Sequence, residues 1–184
     1  MASDARQYVI GPGDLYVAPG GSPAPSDDPT SAPPVAYVHL GYLEKPAEVT
    51  VKRTWLDKEP QQAQGTVAKF VTSTKVHIKT DLAQATLDNL LVALANQGTV
   101  TTVGNVRVFE PDFSLSFIAP IALILDGPAP QGGRRRTFAS RAVSMADVTL
   151  TADRANTGFI AVEFELLYPE GGQPVRITEH IPGA

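Results

Sequence analysis

Three histidines, two glutamates and a run of arginines are the residues of this 184-residue chain whose types invite chemistry. His39, His77 and His180 lie far apart, each in or beside a strand-like pattern. None has a second histidine or a carboxylate at metal-ligand spacing. Ordinary strand or surface histidines are the simpler reading. Serine is plentiful, yet no Gly-x-Ser-x-Gly elbow occurs. Gly11-Pro12-Gly13 is followed by neither the Lys-Ser/Thr nor the helix start of a phosphate loop. Cysteine is absent, which excludes disulfides, thiolate metal sites and cysteine nucleophiles. Glu163 and Glu165 sit two apart on a strand pattern, so they share a face, as paired catalytic carboxylates do. The solvated outer face of an antiparallel strand accounts for them with less. No catalysis, cofactor or metal is expected.

The sharpest charge feature is Arg134-Arg135-Arg136, with Arg141 nearby. Guanidiniums in such a run bind phosphate or pair with a neighbour's carboxylates; a solvated turn tip is the plainer reading and is preferred. Trp55, the single tryptophan, alternates in phase with Val49 and Val51. That spacing suits a place near the core as well as an anchor at an interface, and both stay open.

The hydrophobic fraction of 43% is ordinary for a globular protein, while charged residues at 18% fall below the usual quarter. Low charge is expected of a protein that hides surface against other chains, and extra loop residues dilute charge as well. The net charge of −4 offers no basic footprint for general nucleic-acid binding. No apolar run reaches the roughly 18 residues of a membrane span. Met1-Ala-Ser-Asp-Ala-Arg has no apolar h-region, so Sec export is not expected.

The elements that must position these residues are organised around the stretch from Thr66 to Asn96. Val67, Lys69, Val71, Ser73, Lys75, His77 and Lys79 alternate against Ala68, Phe70, Thr72, Thr74, Val76 and Ile78. Period two without Gly or Pro predicts one strand of about fifteen residues, roughly 50 Å long at about 3.3 Å per residue. The period then becomes helical, with Ala83, Leu87, Leu90, Leu91 and Leu94 on one face. Asp81 and Gln84 read as its capping box and Gly98 as its stop. Upstream, Val49 to Leu56 alternates as a second long strand, joined to the first by the polar tip Pro60–Gly65. The pair is a long β-hairpin, and an isolated ribbon is marginal in water, so its outer part is expected to need a neighbour.

Between Pro19 and Pro34, six prolines and two glycines fill sixteen residues, a composition that does not fold alone. A contact loop and a flexible insertion are equally good readings. After the helix come a turn at Gly104-Asn105, the strand Val106–Phe109 and the apolar run Phe113–Leu125, whose odd-numbered residues share a side around Pro120. A turn at Gln131–Gly133, strands from Arg134 and over 148–151, a turn at 155–158, and strands at Phe159–Tyr168 and Val175–Ile181 follow. The chain is expected to be mainly β: an antiparallel sandwich or barrel with one flanking helix and a protruding hairpin.

Several stretches, in order, resemble the tail tube (major tail) proteins of long-tailed bacteriophages, especially those of actinobacteria. Gly11-Pro-Gly-Asp-Leu-Tyr-Val-Ala-Pro19, then Val38-His-Leu-Gly-Tyr-Leu43 and Val49-Thr-Val-Lys-Arg53, are similar to that family's opening. Trp55 with Glu59-Pro60-Gln61 resembles its hairpin tip, and Thr86-Leu-Asp-Asn-Leu-Leu with Ala93-Leu94 its single helix. Arg141-Ala-Val-Ser, Ala152-Asp-Arg-Ala-Asn156 and Phe159 to Leu167 are similar to its C-terminal strands. Pro60 at the tip and the length of Pro19–Pro34 depart from the pattern. The resemblance implies a single tail-tube domain over 1–184, with an N-terminal arm at 1–7, a Pro-rich loop at 19–34, a hairpin tip at 56–66, a helix at 81–97 and a C-terminal strand or arm at 175–184.

It implies a non-enzymatic subunit, made in the host cytoplasm, that forms hexameric rings stacked into the hollow tube of the virion. DNA passes through that tube at ejection without specific binding. The partners implied are the chain itself, a tail-tip or baseplate initiator, a tape measure protein and a tail terminator. Trp55, Leu56, Glu59, Gln61, Gln62, Arg134, Arg135 and Arg136 are the expected contacts between subunits or rings. Glu163 and Glu165 are the candidates to face the lumen if their strand lines the tube, where carboxylates would keep phosphates from sticking. The alternatives are another tail component of the same fold, a terminator or tip ring, and a monomeric β-sandwich binding module. Such a module calls for clustered exposed aromatics, which the scattered Tyr residues and single Trp do not suggest.

Overall fold

The computed structural model describes residues 13–58, 68–114, 117–145, 147–148 and 159–182. Its strands are β1 (Asp14–Pro19), β2 (Val38–His39), β3 (Glu48–Lys58), β4 (Ala68–Leu82), β5 (Gly98–Val103), β6 (Val106–Pro111), β7 (Ile121–Pro128), β8 (Arg134–Ser144), β9 (Ile160–Leu166) and β10 (Arg176–His180). One α-helix, α1, runs Leu87–Ala93. The chain is mainly β and its strand pairs are antiparallel, a sandwich flanked by a helix. The arm over 1–7, most of the tip over 56–66 and the strand and turn over 149–158 fall outside the described residues.

The large sheet follows the order β2-β1-β7-β8-β9-β4-β3, and β8 is where it divides. One side of β8 pairs with β7. The other pairs with β10 through Arg134–Phe138 and with β9 through Ala142–Ser144. Two half-sheets result, β2-β1-β7-β8-β10 and β8-β9-β4-β3. The first contributes Leu15, Val17, Ile121, Leu123 and Ala139 to the main core, the second Val76, Ile78, Val162, Phe164 and Leu166. Fully buried Leu, Ile and Phe side chains such as Leu15, Ile78, Leu123 and Phe164 each contribute about 1.5–3 kcal/mol of transfer free energy.

β9 shows the expected alternation, with Ile160, Val162, Phe164 and Leu166 buried. β7 does not. Ile121 to Ile124 are all buried, because this half-sheet is covered on both faces. Its outer face carries a second cluster of Ala18, Tyr37, Ala122 and Ile124, with Tyr16 and Phe138 against it. The predicted apolar run starting at Phe113 is also shorter than expected. Asp112 Oδ1 accepts a hydrogen bond from Ser114 N (3.0 Å), which turns the chain, and the strand begins only after Pro120. Phe113 and Phe117 are left exposed.

The helix is shorter than the predicted 81–97 and starts elsewhere. β4 continues through Leu82, pairing Asp81 with Ala161 and Leu82 with Ile160. Asp81 is taken by Lys45 at 2.5 Å, so it caps nothing. Thr86 is the N-cap, its hydroxyl accepting from Asn89 N at 3.1 Å. The helix stops well before Gly98: it ends at Ala93 with Leu94 as its C-cap, and Ala95 and Asn96 then adopt left-handed φ values (56° and 59°). Asn89 sits on the buried face, where its amide donates to Leu40 O (2.9 Å) and Gln84 O (2.8 Å). Beyond it, β5 and β6 form a separate ribbon around Gly104, whose φ of 62° meets the demand of a two-residue hairpin turn.

Candidate interaction surface

β3 and β4 pair from Glu48↔Lys79 to Lys58↔Ala68. β9 covers β4 only from Val76 to Leu82, so from Lys75 outward the hairpin is a two-stranded ribbon among the described residues. Those eight residues of β4, Ala68 to Lys75, reach about 25 Å at about 3.3 Å per residue. β3 is the end strand of the sheet, and its other edge pairs with nothing among the described residues.

The ribbon does not keep the alternation read from the sequence. Between Thr54↔Ser73 and Trp55↔Val71 the register shifts by one residue, leaving Thr72 as a bulge. Thr72 Oγ1 donates to Thr54 O at 3.1 Å and fixes it there. Residues opposite one another in an antiparallel pair share a face. Beyond the bulge, Val71 and Lys69 therefore move to the face of Ile78 and Val76. Phe70 and Ala68 move to the face of Lys75, His77 and Lys79. Trp55 pairs with Val71 on one face, and Leu56 pairs with Phe70 on the other.

All four side chains are about half exposed: Trp55 51%, Leu56 58%, Phe70 53% and Val71 47%. Trp55 is thus a surface residue, and its in-phase neighbours Val49 and Val51 are exposed as well. Glu59, Gln61 and Gln62, the other expected tip contacts, lie outside the described residues.

At the root of the ribbon, the polar face is a charge ladder. Lys75 Nζ lies 3.1 Å from Glu165 Oε1, and Lys79 Nζ lies 2.8 Å from Glu163 Oε2. His77 Nδ1 approaches Glu163 Oε1 at 2.8 Å. The bond from Lys79 holds the Glu163 carboxyl below its ordinary value, His77 adding to the effect and partial burial opposing it. Glu163 and Glu165 share a face, as their spacing predicts. Each is ion-paired to a lysine across the strand.

The arginine run stands corrected. It is strand β8, not a solvated turn tip. Arg136 is 1% exposed and grips Asp126 with two parallel bonds, Nε to Oδ1 at 2.7 Å and Nη2 to Oδ2 at 2.6 Å. It is spent inside the subunit and is not free for a neighbour or a phosphate. Arg135 is held by Glu179 of β10 at 2.6 Å, and Arg134 is exposed at the strand's start opposite His180. Asp126, the partner the sequence reading missed, left a trace. It ends the apolar run, and a hairpin centred on Gln131 pairs 126 with 136, the register observed.

Arg136 also donates from Nη2 to Ser31 O at 2.8 Å, which brings in the Pro-rich segment. That segment lies on the outer face of the β1-β7-β8 half-sheet, with Pro25 and Pro29 buried. Tyr37 Oη donates to Pro23 O (3.2 Å), Asp27 pairs with Arg176, and Asp28 closes a turn with the Thr30 amide (2.9 Å). It is a strap that completes a core, where the sequence suggested a contact loop or a flexible insertion.

The three histidines sit on three different strands. His39 on β2 is 3.2 Å from Asp14 and tilted against Tyr16, His77 joins the ladder, and His180 ends β10. Among the described residues no group of three or more His, Asp or Glu is placed to hold a metal ion. No helix among them is long and apolar enough to cross a membrane. No protein-family model matches the chain, and no curated protein is significantly similar to it.

Proposed function

We propose that this chain is a structural subunit that polymerises as stacked, hexameric rings into the hollow tail tube of a long-tailed bacteriophage. The tube is the conduit for DNA ejection, and the subunit performs no catalysis. It is made in the host cytoplasm and ends in the virion, built on a tail-tip initiator, around a tape measure protein and under a terminator. The observation that carries the reading is the β3-β4 ribbon, which shows apolar pairs on opposite faces, Trp55–Val71 and Leu56–Phe70.

A two-stranded ribbon of this length gains too little from its own pairing to stand alone in water. Half-exposed aromatic and aliphatic pairs on both faces call for cover on both faces. A subunit whose projecting knob is covered by a differently shaped part of the next subunit makes a heterologous contact. Such contacts close into rings or run on into filaments. The unpaired edge of β3 offers a second joint of the same kind, with Lys52 and Lys58 along it to discourage indiscriminate pairing.

The charge ladder suits a wall that DNA slides along. Lysines already held by Glu163 and Glu165 present no surplus of free cations to phosphates. The test is negative-stain electron microscopy of the purified chain over a concentration series, with and without a tail-tip nucleus. Hollow tubes or rings support the reading. A monomer at every concentration, nucleus included, overturns it.

A further inference from the structure

Arg136 has five N–H donors, and the contacts above use those on Nε and Nη2. Its Nη1 is buried and has no hydrogen-bond partner among the described residues. An unpaired buried donor on a charged group costs more than a neutral one. The guanidinium lines a small cleft between the strap and the sheet, with Pro25, Ser26, Asp27, Phe138, Arg176 and Thr178. The cleft's volume is about 10 Å³. A single water needs about 10–15 Å³ on this measure, together with two to four polar partners.

We infer that this cleft is a binding site for one ordered water molecule, held by Arg136 Nη1 and latching the Pro-rich strap to the sheet. Thr178 of β10, directly opposite Arg136 on β8, and the Asp27 carboxylate at the strap's edge supply its acceptors. A neutral ligand fits better than an anion, because both nearby guanidiniums are already matched, Arg136 by Asp126 and Arg176 by Asp27. The cleft is also too small for phosphate or sulfate. The strap is therefore a built-in part of the subunit whether or not the subunit assembles. Arg136 binds Asp126 on the sheet, Ser31 O on the strap and the water between them.

Two measurements on the full chain test this. The first is a high-resolution crystal structure, with a second crystal grown in bromide. A single peak at hydrogen-bond distance from Arg136 Nη1, without anomalous signal, is expected. An empty cleft, or a bromide peak there, overturns the water site. The second is hydrogen exchange read at the Ser31 and Tyr37 amides, which are bonded within the strap to Asp28 O and Pro34 O. In the Arg136→Met/Asp126→Leu double variant, which removes both buried charges together, these amides should exchange at least about tenfold faster while β4 and β9 stay protected. Should that variant not fold, Arg136→Lys serves. It keeps the charge beside Asp126 but cannot reach both carboxylate oxygens, Ser31 and the water together. Strap protection equal to wild type in the folded variant overturns the latch.

Discussion

The two ends of this chain's one large sheet handle exposed surface in opposite ways. The β1-β7-β8 half covers its outer face with its own strap and neutralises its one deeply buried cation with its own Asp126. The β3-β4 ribbon at the other end pairs its own charges, Lys69 with Asp57 and Lys75 with Glu165, but does not cover its apolar side chains. It leaves Trp55, Leu56, Phe70 and Val71 half exposed, and a bulge sets Trp55 beside Val71 on one face and Leu56 beside Phe70 on the other. Polar and apolar demands met within the chain mark the part that is finished as a monomer. On the proposed function, demands left unmet mark the part that another chain completes. The contrast separates substitutions that alter folding from those that alter assembly.

The largest effect is expected where the finished half is broken. Asp126→Ala leaves Arg136 buried without its counter-charge and should cost about 3–5 kcal/mol in a denaturant titration. Replacing both partners by apolar residues of similar volume should recover most of that loss. Phe164→Ala, which empties a fully buried site between the half-sheets, should cost about 3–5 kcal/mol on the same assay. Gly133→Ala places a Cβ 2.1 Å from His180 O, so β8 and β10 must part at that point. A loss of about 1–3 kcal/mol is expected, comparable with overpacking elsewhere.

A smaller effect belongs to the ladder and follows pH. The folded-state pKa of Glu163 lies below its ordinary value of 4.5, through the bond from Lys79. Its contribution is fully present above pH 4.5 and is lost as pH falls through the folded value. Thermal unfolding of wild type should therefore weaken in that acid window more steeply than Glu163→Gln, which has no carboxyl to protonate. Equal slopes would show that the pair does not contribute. The smallest effect on stability is expected in the ribbon. Trp55→Ser with Phe70→Ser should change the unfolding free energy by no more than about 0.5 kcal/mol per site, as surface changes do. Its effect should appear in assembly instead.

Much of this contrast can be read from residues alone, because local period is a local property. The alternation over β9 and over β4 from Ser73 inward, the turn at Gly104, and the hairpin joining β3 to β4 all follow from spacing of two and from turn chemistry. What spacing misses is decided by partners distant in the chain. Asp81 looks like a cap until Lys45 and β9 claim it for the strand. Thr72 looks like one more strand residue until pairing with β3 makes it a bulge and turns Phe70 to the other face. Arg136 looks solvated because its neighbours in sequence are charged; its burial comes from Asp126 and from Ser31, more than a hundred residues away. The strap has too few apolar residues to fold alone, and it is placed by the sheet it covers.

The measurement that bears most directly on the ribbon's role is sedimentation with electron microscopy of wild type beside Trp55→Ser/Phe70→Ser, at matched concentrations with a tail-tip nucleus present. The account expects rings or hollow tubes from wild type, and a folded, slowly sedimenting species from the variant. Tubes of normal length from the variant would contradict it, because the two-faced ribbon would then not be the part that a neighbouring subunit completes.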